Sequence, residues 1–155
     1  MLTEAQVERF SRQLLLPEIG GTGQERILAA RISLRGTGPA YEAVASYLLA
    51  AGVAAVISDE SALWVVDGVG AGRAGAGLPC GSCLAAWFAA LPRPPFSMAA
   101  AVALAAGALA SAQILLEVVD PARAARPFAV RVYPSASIVR PGGSPGCPAC
   151  GATGG

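Results

Sequence analysis

Residues 32–44 read "ISLRGTGPAYEAV", and the fold turns on them. Ile32 to Arg35 reads as a short strand, and Gly36 to Gly38 as a tight turn that glycine enters without steric cost. Pro39 suits the first position of a helix, where its missing N–H removes no helical bond. The helix is expected to run to Ala51, with Gly52 as its stop. Val53 to Ile57 reads as a second strand, which completes a βαβ unit. A third strand is expected at Ala62 to Val66, with Asp67 at its carboxyl end. The stretch opens like a nucleotide-binding turn and then breaks that pattern. It reads as the remnant of a phosphate cradle, kept for its fold.

The flanks extend this α/β reading. Thr3 and Gln6 have capping-box spacing, and Val7, Phe10 and Leu14 recur at helical spacing, so the chain is expected to open on a helix. "LPEIGGTGQ" reads as a loop, and Gln24 to Ala30 as a short second helix. Gly68 to Gly77, "GVGAGRAGAG", reads as a flexible connector rather than an anion-binding loop, because no helix start follows the glycines directly. Beyond it, helices are expected at Leu84 to Ala90 and over the alanine-rich run Met98 to Val119. Phe128 to Tyr133 and Ser137 to Arg140 read as antiparallel strands. The organisation expected is one domain over residues 1–155: N-terminal helices 1–30, a βαβ-type core 31–67, a glycine-rich loop 68–79, cysteine turns, helix and terminal strands 80–151, and a tail 152–155.

Composition removes several chemistries. The 155 residues are 54% hydrophobic and 14% charged, enough apolar content for a packed core. A net charge of +1 gives no electrostatic case for nucleic acid or an anionic membrane surface. There is no histidine, and all 11 basic residues are arginine. A histidine base and a lysine phosphate clamp are therefore excluded from this chain. The N-terminal stretch lacks the apolar core of a signal peptide. Met98 to Val119 has the length of a membrane span, but its alanine content and Ser111, Gln113 and Glu117 favour a buried helix. A cytoplasmic location is expected.

The four cysteines form two Cys-x-x-Cys pairs, Cys80 with Cys83 and Cys147 with Cys150. Each pair can aim two thiolates at one metal from a tight turn. The 63 residues between the pairs exceed the spacing of a small zinc ribbon, so spacing alone does not make them one site. Structural zinc is the favoured reading, with redox pairs or disulfides as alternatives. Four thiolates on one metal would leave none as a nucleophile.

"ERFSRQLLLPEIGGTGQERILAARISLRGTG" at residues 8–38 resembles the N-terminus of the ThiF/MoeB/HesA family, relatives of ubiquitin-activating enzymes; "RFSRQLLLPEIG" is its specific part. "PCGSC" and the terminal "PGCPACG" are similar to that family's zinc knuckles, and "ALASAQILLEVV" to the helix before its last strands. The resemblance implies a shortened Rossmann-like, ThiF-type nucleotide-binding fold, a dimer, and a four-cysteine zinc site at Cys80, Cys83, Cys147 and Cys150. Active members adenylate the C-terminal Gly-Gly of a ubiquitin-like or sulfur-carrier protein with Mg-ATP. Arg12 would be the arginine that reaches a partner subunit's nucleotide site. Gly36, Gly38, Asp59 (or its neighbour Glu60) and Asp67 would be what is left of the chain's own nucleotide site.

The departures fall where the chemistry lies. Pro39 and Tyr41 stand at later glycines of the family's phosphate loop, and Arg35 where an apolar residue is usual. Gly70 stands where the magnesium aspartate is expected. The phosphate-contacting lysine and the loop with the catalytic cysteine are absent. The expectation is a non-catalytic, zinc-binding partner or scaffold subunit, homodimeric or paired with an active paralogue, for which ATP and magnesium are doubtful ligands. The alternative is a minimal ATP-dependent adenylyltransferase for a ubiquitin-like or sulfur-carrier protein. The Gly154–Gly155 end also allows a carrier-like tail, the least favoured reading.

Overall fold

A computed structural model of the chain describes residues 1–75, 79–122, 128–139 and 147–148. Its centre is a six-stranded mixed sheet in the order β2-β1-β3-β4-β5-β6. β1 (Arg31–Arg35) lies parallel to both β2 (Ala55–Ser58) and β3 (Trp64–Asp67). β4 (Gly70–Arg73), β5 (Phe128–Arg131) and β6 (Ser137–Val139) continue it antiparallel. The mixed α/β class is the one the sequence implies, and it accords with a Rossmann-like fold.

The helix after β1, α4 (Pro39–Ala51), has the expected bounds. Pro39 starts it, and Gly52 ends it in the left-handed region at φ 103°. The N-terminal helix breaks in two at Phe10, into α1 (Glu4–Arg9) and α2 (Ser11–Leu14). The Thr3–Gln6 capping box is present. Phe10 turns into the protein, whereas Val7 is exposed, so these residues do not share one buried face. Helix α3 (Gly20–Ala29) starts earlier than its sequence pattern suggests, at the glycines.

Two cores sit on opposite faces of the sheet. Ile27, Leu34, Val44, Leu48, Trp64, Val66 and Ile114 form the larger, under α3, α4 and α6 (Phe96–Val119). Val65, Leu84, Phe88 and Ala129 form the smaller, under α5 (Gly81–Ala89). Successive residues of β3 therefore serve different cores, as the two-residue period of a strand requires. Full burial of a side chain such as Leu34 or Leu48 contributes about 1.5–3 kcal/mol. Helix α6 is long and apolar enough to cross a membrane, alone in this among the described residues. Here it packs on α4 so closely that a Cβ on Gly107 would stand 2.6 Å from the Ala43 Cβ.

The glycine-rich segment is not only a connector. Gly70–Arg73 is strand β4, paired on both edges. A Cβ on Gly70 would lie 2.2 Å from the Val130 carbonyl oxygen and 2.8 Å from the Phe88 ring. Glycine is there because two neighbours crowd the backbone, not because the chain must flex. Arg73 then forms an inward ion pair with Glu117 of α6, N···O 2.9 Å, with both side chains largely buried.

The link from β2 to β3 departs from the usual parallel connection. Such links need a dozen or more residues, usually a helix, to return the chain to the start of the next strand. Here β2 ends at Ser58 opposite Leu34, and β3 begins at Trp64 opposite the same Leu34. Because β3 starts at the level where β2 stops, no return is needed. Residues 59–63 simply cross the end of β1, held by the Asp59 amide donating to the Leu34 carbonyl at 2.9 Å.

Candidate functional site

β1 and β3 end at a topological switch point, since the chain leaves β1 to one side through α4 and comes back on the other. Open α/β sheets bind ligands in such crevices. The crevice here is a cleft of about 260 Å³, lined by Arg35, Gly36, Thr37, Glu60, Asp67, Ala85 and parts of β3.

Gly36 sits in the cleft floor at φ 145°, where a Cβ would stand 2.3 Å from the Val66 carbonyl oxygen. The close approach of β1 to β3 thus explains this glycine without any phosphate. Gly38, at φ 79°, caps α4 with open space around it. Tyr41 packs against the larger core rather than lining the cleft.

The charged residues of the cleft are already partnered. Asp67 forms an ion pair with Arg93, a residue of the Pro-rich turn after α5, and also accepts from the Val69 amide at 3.1 Å. Arg93 donates in addition to the Phe88 carbonyl at 3.3 Å. Arg35 pairs with Glu60, Nε to carboxylate oxygen 3.0 Å, and its Nη1 donates to the Ser82 hydroxyl at 3.3 Å. Asp59, one of the two neighbouring acidic residues expected at the nucleotide site, does not line the cleft; its carboxylate accepts from the Ser61 amide and hydroxyl at 2.8 and 2.7 Å. Those bonds hold its carboxyl below the ordinary value. The neighbouring Glu60 is the acidic residue that reaches the cleft. The five-residue link between β2 and β3 puts it there.

Arg12 lies elsewhere. It is exposed on α2, just after Phe10, whose ring packs against Gly52 at the far end of α4 from the cleft. At 1.5 Å per residue, α4 separates the two ends by ~20 Å, too far for an arginine side chain to return to its own cleft. Among the described residues Arg12 makes no ion pair.

Cys80, Cys83 and Cys147 come together although residues far apart in the chain carry them. Their sulfurs lie within 4.8 Å of one another, and Cys80 is 3.7 Å from both Cys83 and Cys147. A disulfide needs sulfurs at about 2.05 Å. A tetrahedral thiolate site with metal–sulfur bonds near 2.3 Å has an edge of ~3.8 Å, which the two 3.7 Å separations match. The three thiols therefore fit a metal ion, and they are the only such cluster among the described residues. Cys150, the fourth expected ligand, lies outside the described residues. Cys80 caps α5 and Cys83 sits in its first turn, on the same helix start that carries Ser82 to Arg35. The cluster and the cleft thus share one element.

No protein-family model matches the chain. Curated proteins do. A sulfur carrier protein adenylyltransferase of Thermus thermophilus is 41% identical over 54 residues, which are 35% of this chain and 20% of that protein. The bovine adenylyltransferase and sulfurtransferase MOCS3 is 46% identical over 52 residues, 34% of this chain and 11% of that protein. The heterocyst protein HesA of Trichormus variabilis is 39% identical over 56 residues, 36% of this chain and 21% of that protein. Over about a third of its length the chain is similar to these proteins of the ThiF/MoeB/HesA kind. The matched stretches span only between about a tenth and a fifth of these relatives' lengths.

Against that family's pattern, two partners escape a reading of the sequence. Arg93 occupies Asp67 from 26 positions away, and Ser82 reaches Arg35 from 47 positions away. No local pattern announces either pairing. The CGSC turn is visible as a metal motif, but not as the holder of a cleft arginine.

Proposed function

We propose that the chain is a non-catalytic subunit of ThiF/MoeB/HesA-type chemistry, a zinc-stapled α/β body that acts by association in the cytoplasm. Its partner is a second copy or an active adenylating paralogue, and the substrate of the assembly is a sulfur-carrier or ubiquitin-like protein. The observation that carries this reading is the self-neutralised cleft. Adenylation requires fixed positive charge on the phosphates and a carboxylate on magnesium. Arg93 already occupies Asp67, and Glu60 competes for Arg35. Pro39 withdraws one amide from the start of α4.

Arg12 has a role in this assembly. It is exposed, makes no ion pair among the described residues, and sits about one helix length from its own cleft. That placement supports action in trans, on the nucleotide site of the partner. Zinc on Cys80, Cys83 and Cys147, with Cys150, would hold the C-terminal segment to α5 and supply no chemistry of its own.

A second reading, a minimal adenylyltransferase, draws on the printed activities of the relatives and on the position of the cleft at the switch point. Titration calorimetry of the folded, metal-loaded protein with Mg-ATP separates the two. No binding is expected; micromolar affinity followed by pyrophosphate exchange with a Gly-Gly carrier would establish the second reading instead. The trans role is tested by co-purification with the paralogue. Arg12→Ala is expected to slow the partner's adenylation, and an unchanged rate sinks that role.

A further inference from the structure

We infer that the switch-point cleft is a small-oxyanion site in which Arg35 binds the anion and Glu60 is its displaceable internal competitor. The inference rests on the non-catalytic reading only in that the cleft does not hold Mg-ATP. Its ligand class is inorganic phosphate or a terminal phosphoryl group, without a nucleobase.

Three observations lead there. Arg35 is three-quarters buried at its side chain, yet Glu60, its carboxylate partner among the described residues, is 85% exposed. An ion pair with one partner in open water is weakly held, so a well-placed anion can take its place. Second, the guanidinium does not depend on Glu60 for its position. The Ser82 hydroxyl accepts from Nη1 at the start of α5, and the neighbouring Gly81 backbone packs beside the same nitrogen, a Cβ there lying in ordinary contact at 3.7 Å. Ser82 is thus a positioning residue, and other N–H groups of the fork are left to meet two oxygens of one ligand. Third, the charges balance in the anion's favour once Glu60 moves. Asp67, the other acid lining the cleft, is neutralised by Arg93. Departure of Glu60 therefore leaves Arg35 uncompensated over a cavity of about 260 Å³. That space suits a phosphate and falls below the ~300–1,000 Å³ of pockets that enclose drug-sized ligands. The amide of Thr37, which lines the same cleft, makes no hydrogen bond among the described residues and can add a donor.

Glu60 stands in the cleft because of the short β2–β3 link. A longer crossover would start the acidic residue elsewhere, so the same feature that shortens the fold installs the competitor.

The test is calorimetry, or phosphorus NMR, on the full metal-loaded chain with inorganic phosphate, AMP and Mg-ATP. The wild type is expected to bind phosphate with millimolar affinity, and AMP similarly. Glu60→Gln, at an exposed position that leaves folding intact, is expected to tighten phosphate binding by about tenfold. Arg35→Gln is expected to abolish it, and Arg35→Lys to recover part of it. Ser82→Ala should loosen binding several-fold, with Ser82→Thr restoring it. Equal phosphate affinity in wild type and Glu60→Gln, or retained affinity in Arg35→Gln, overturns the inference. Absence of both phosphate and Mg-ATP binding overturns it and leaves the non-catalytic reading standing. Micromolar Mg-ATP binding with no phosphate binding overturns both.

Discussion

The cleft and the cysteine cluster share helix α5, yet they treat their reactive groups in opposite ways. In the cleft, each charged group has found a partner from the chain itself: Asp67 has Arg93, and Arg35 has Glu60. In the cluster, three thiols converge within 4.8 Å of one another, and Cys80 stands from each of the other two at about the edge length of a metal tetrahedron. The first region is neutralised from within by ion pairs. The second has the geometry of a site completed from outside. A resemblance that spans both regions therefore does not carry one chemistry to both.

Metal removal should separate the two regions most sharply. Structural zinc in small thiolate sites contributes apparent free energies of ~10–16 kcal/mol. The purified chain is expected to carry one zinc per molecule by elemental analysis, and a strong chelator or Cys83→Ser should lower its melting temperature by well over ten degrees, roughly the scale of several kcal/mol. A metal-free protein whose melting ignores the chelator would erase the contrast.

The next largest effect compares two ion pairs. Arg73–Glu117 is buried between β4 and α6, whereas Arg35–Glu60 opens to water. Glu117→Ala removes the buried carboxylate paired with Arg73 and is expected to cost about 3–5 kcal/mol in urea unfolding. Glu60→Ala is expected to cost less than about 1 kcal/mol. Similar losses would mean that the cleft pair is structural and not displaceable.

Gly70→Ala should follow in size, at about 1–3 kcal/mol or somewhat more, because the added methyl meets the Val130 backbone carbonyl, which cannot swing away. Gly38→Ala, in open space, meets no clash and bears only the strain of a backbone at φ 79° and ψ −168°, so it should cost less. Equal costs would argue that β4 yields easily.

The smallest effect is in pH dependence. Burial raises the Glu117 carboxyl above its ordinary value, against the pull of Arg73 and a Trp64 hydrogen bond. The native state then holds a proton that the unfolded chain gives up, so this group's contribution falls as pH rises from the ordinary value through the raised one. Asp59 runs the other way. Ser61 lowers its carboxyl, so its contribution is present above the ordinary 3.8 and is lost as pH falls through the lowered value. Urea midpoints measured from about pH 3 to pH 7 should lose the upper slope in Glu117→Gln and the lower one in Asp59→Asn. Unchanged profiles would refute the assignments.

Legibility follows the range of the interaction. Helix α4 is readable to the residue because Pro39 and Gly52 mark its ends through their own backbones. β4 is not, since glycines present no side-chain alternation, and the reason for Gly70 lies in Val130 and Phe88. The helix expected from Gln24 begins four residues earlier, at Gly20, where the glycines hide it.

By itself the sequence determined the α/β class, the βαβ unit, the resemblance to ThiF/MoeB/HesA proteins and the absence of any lysine or histidine chemistry. Those properties reside in local backbone preference, in periodicity and in which side chains exist at all. Only the tertiary structure decided that Glu60 and not Asp59 enters the cleft and that Arg93 occupies Asp67, and it brought Cys147 to Cys80 and Cys83, which the resemblance implied but the spacing alone did not. Each of those is a meeting of residues distant in the chain or a consequence of strand register. Such meetings depend on how far β3 is staggered along β1 and where α5 docks, which no short stretch of sequence records.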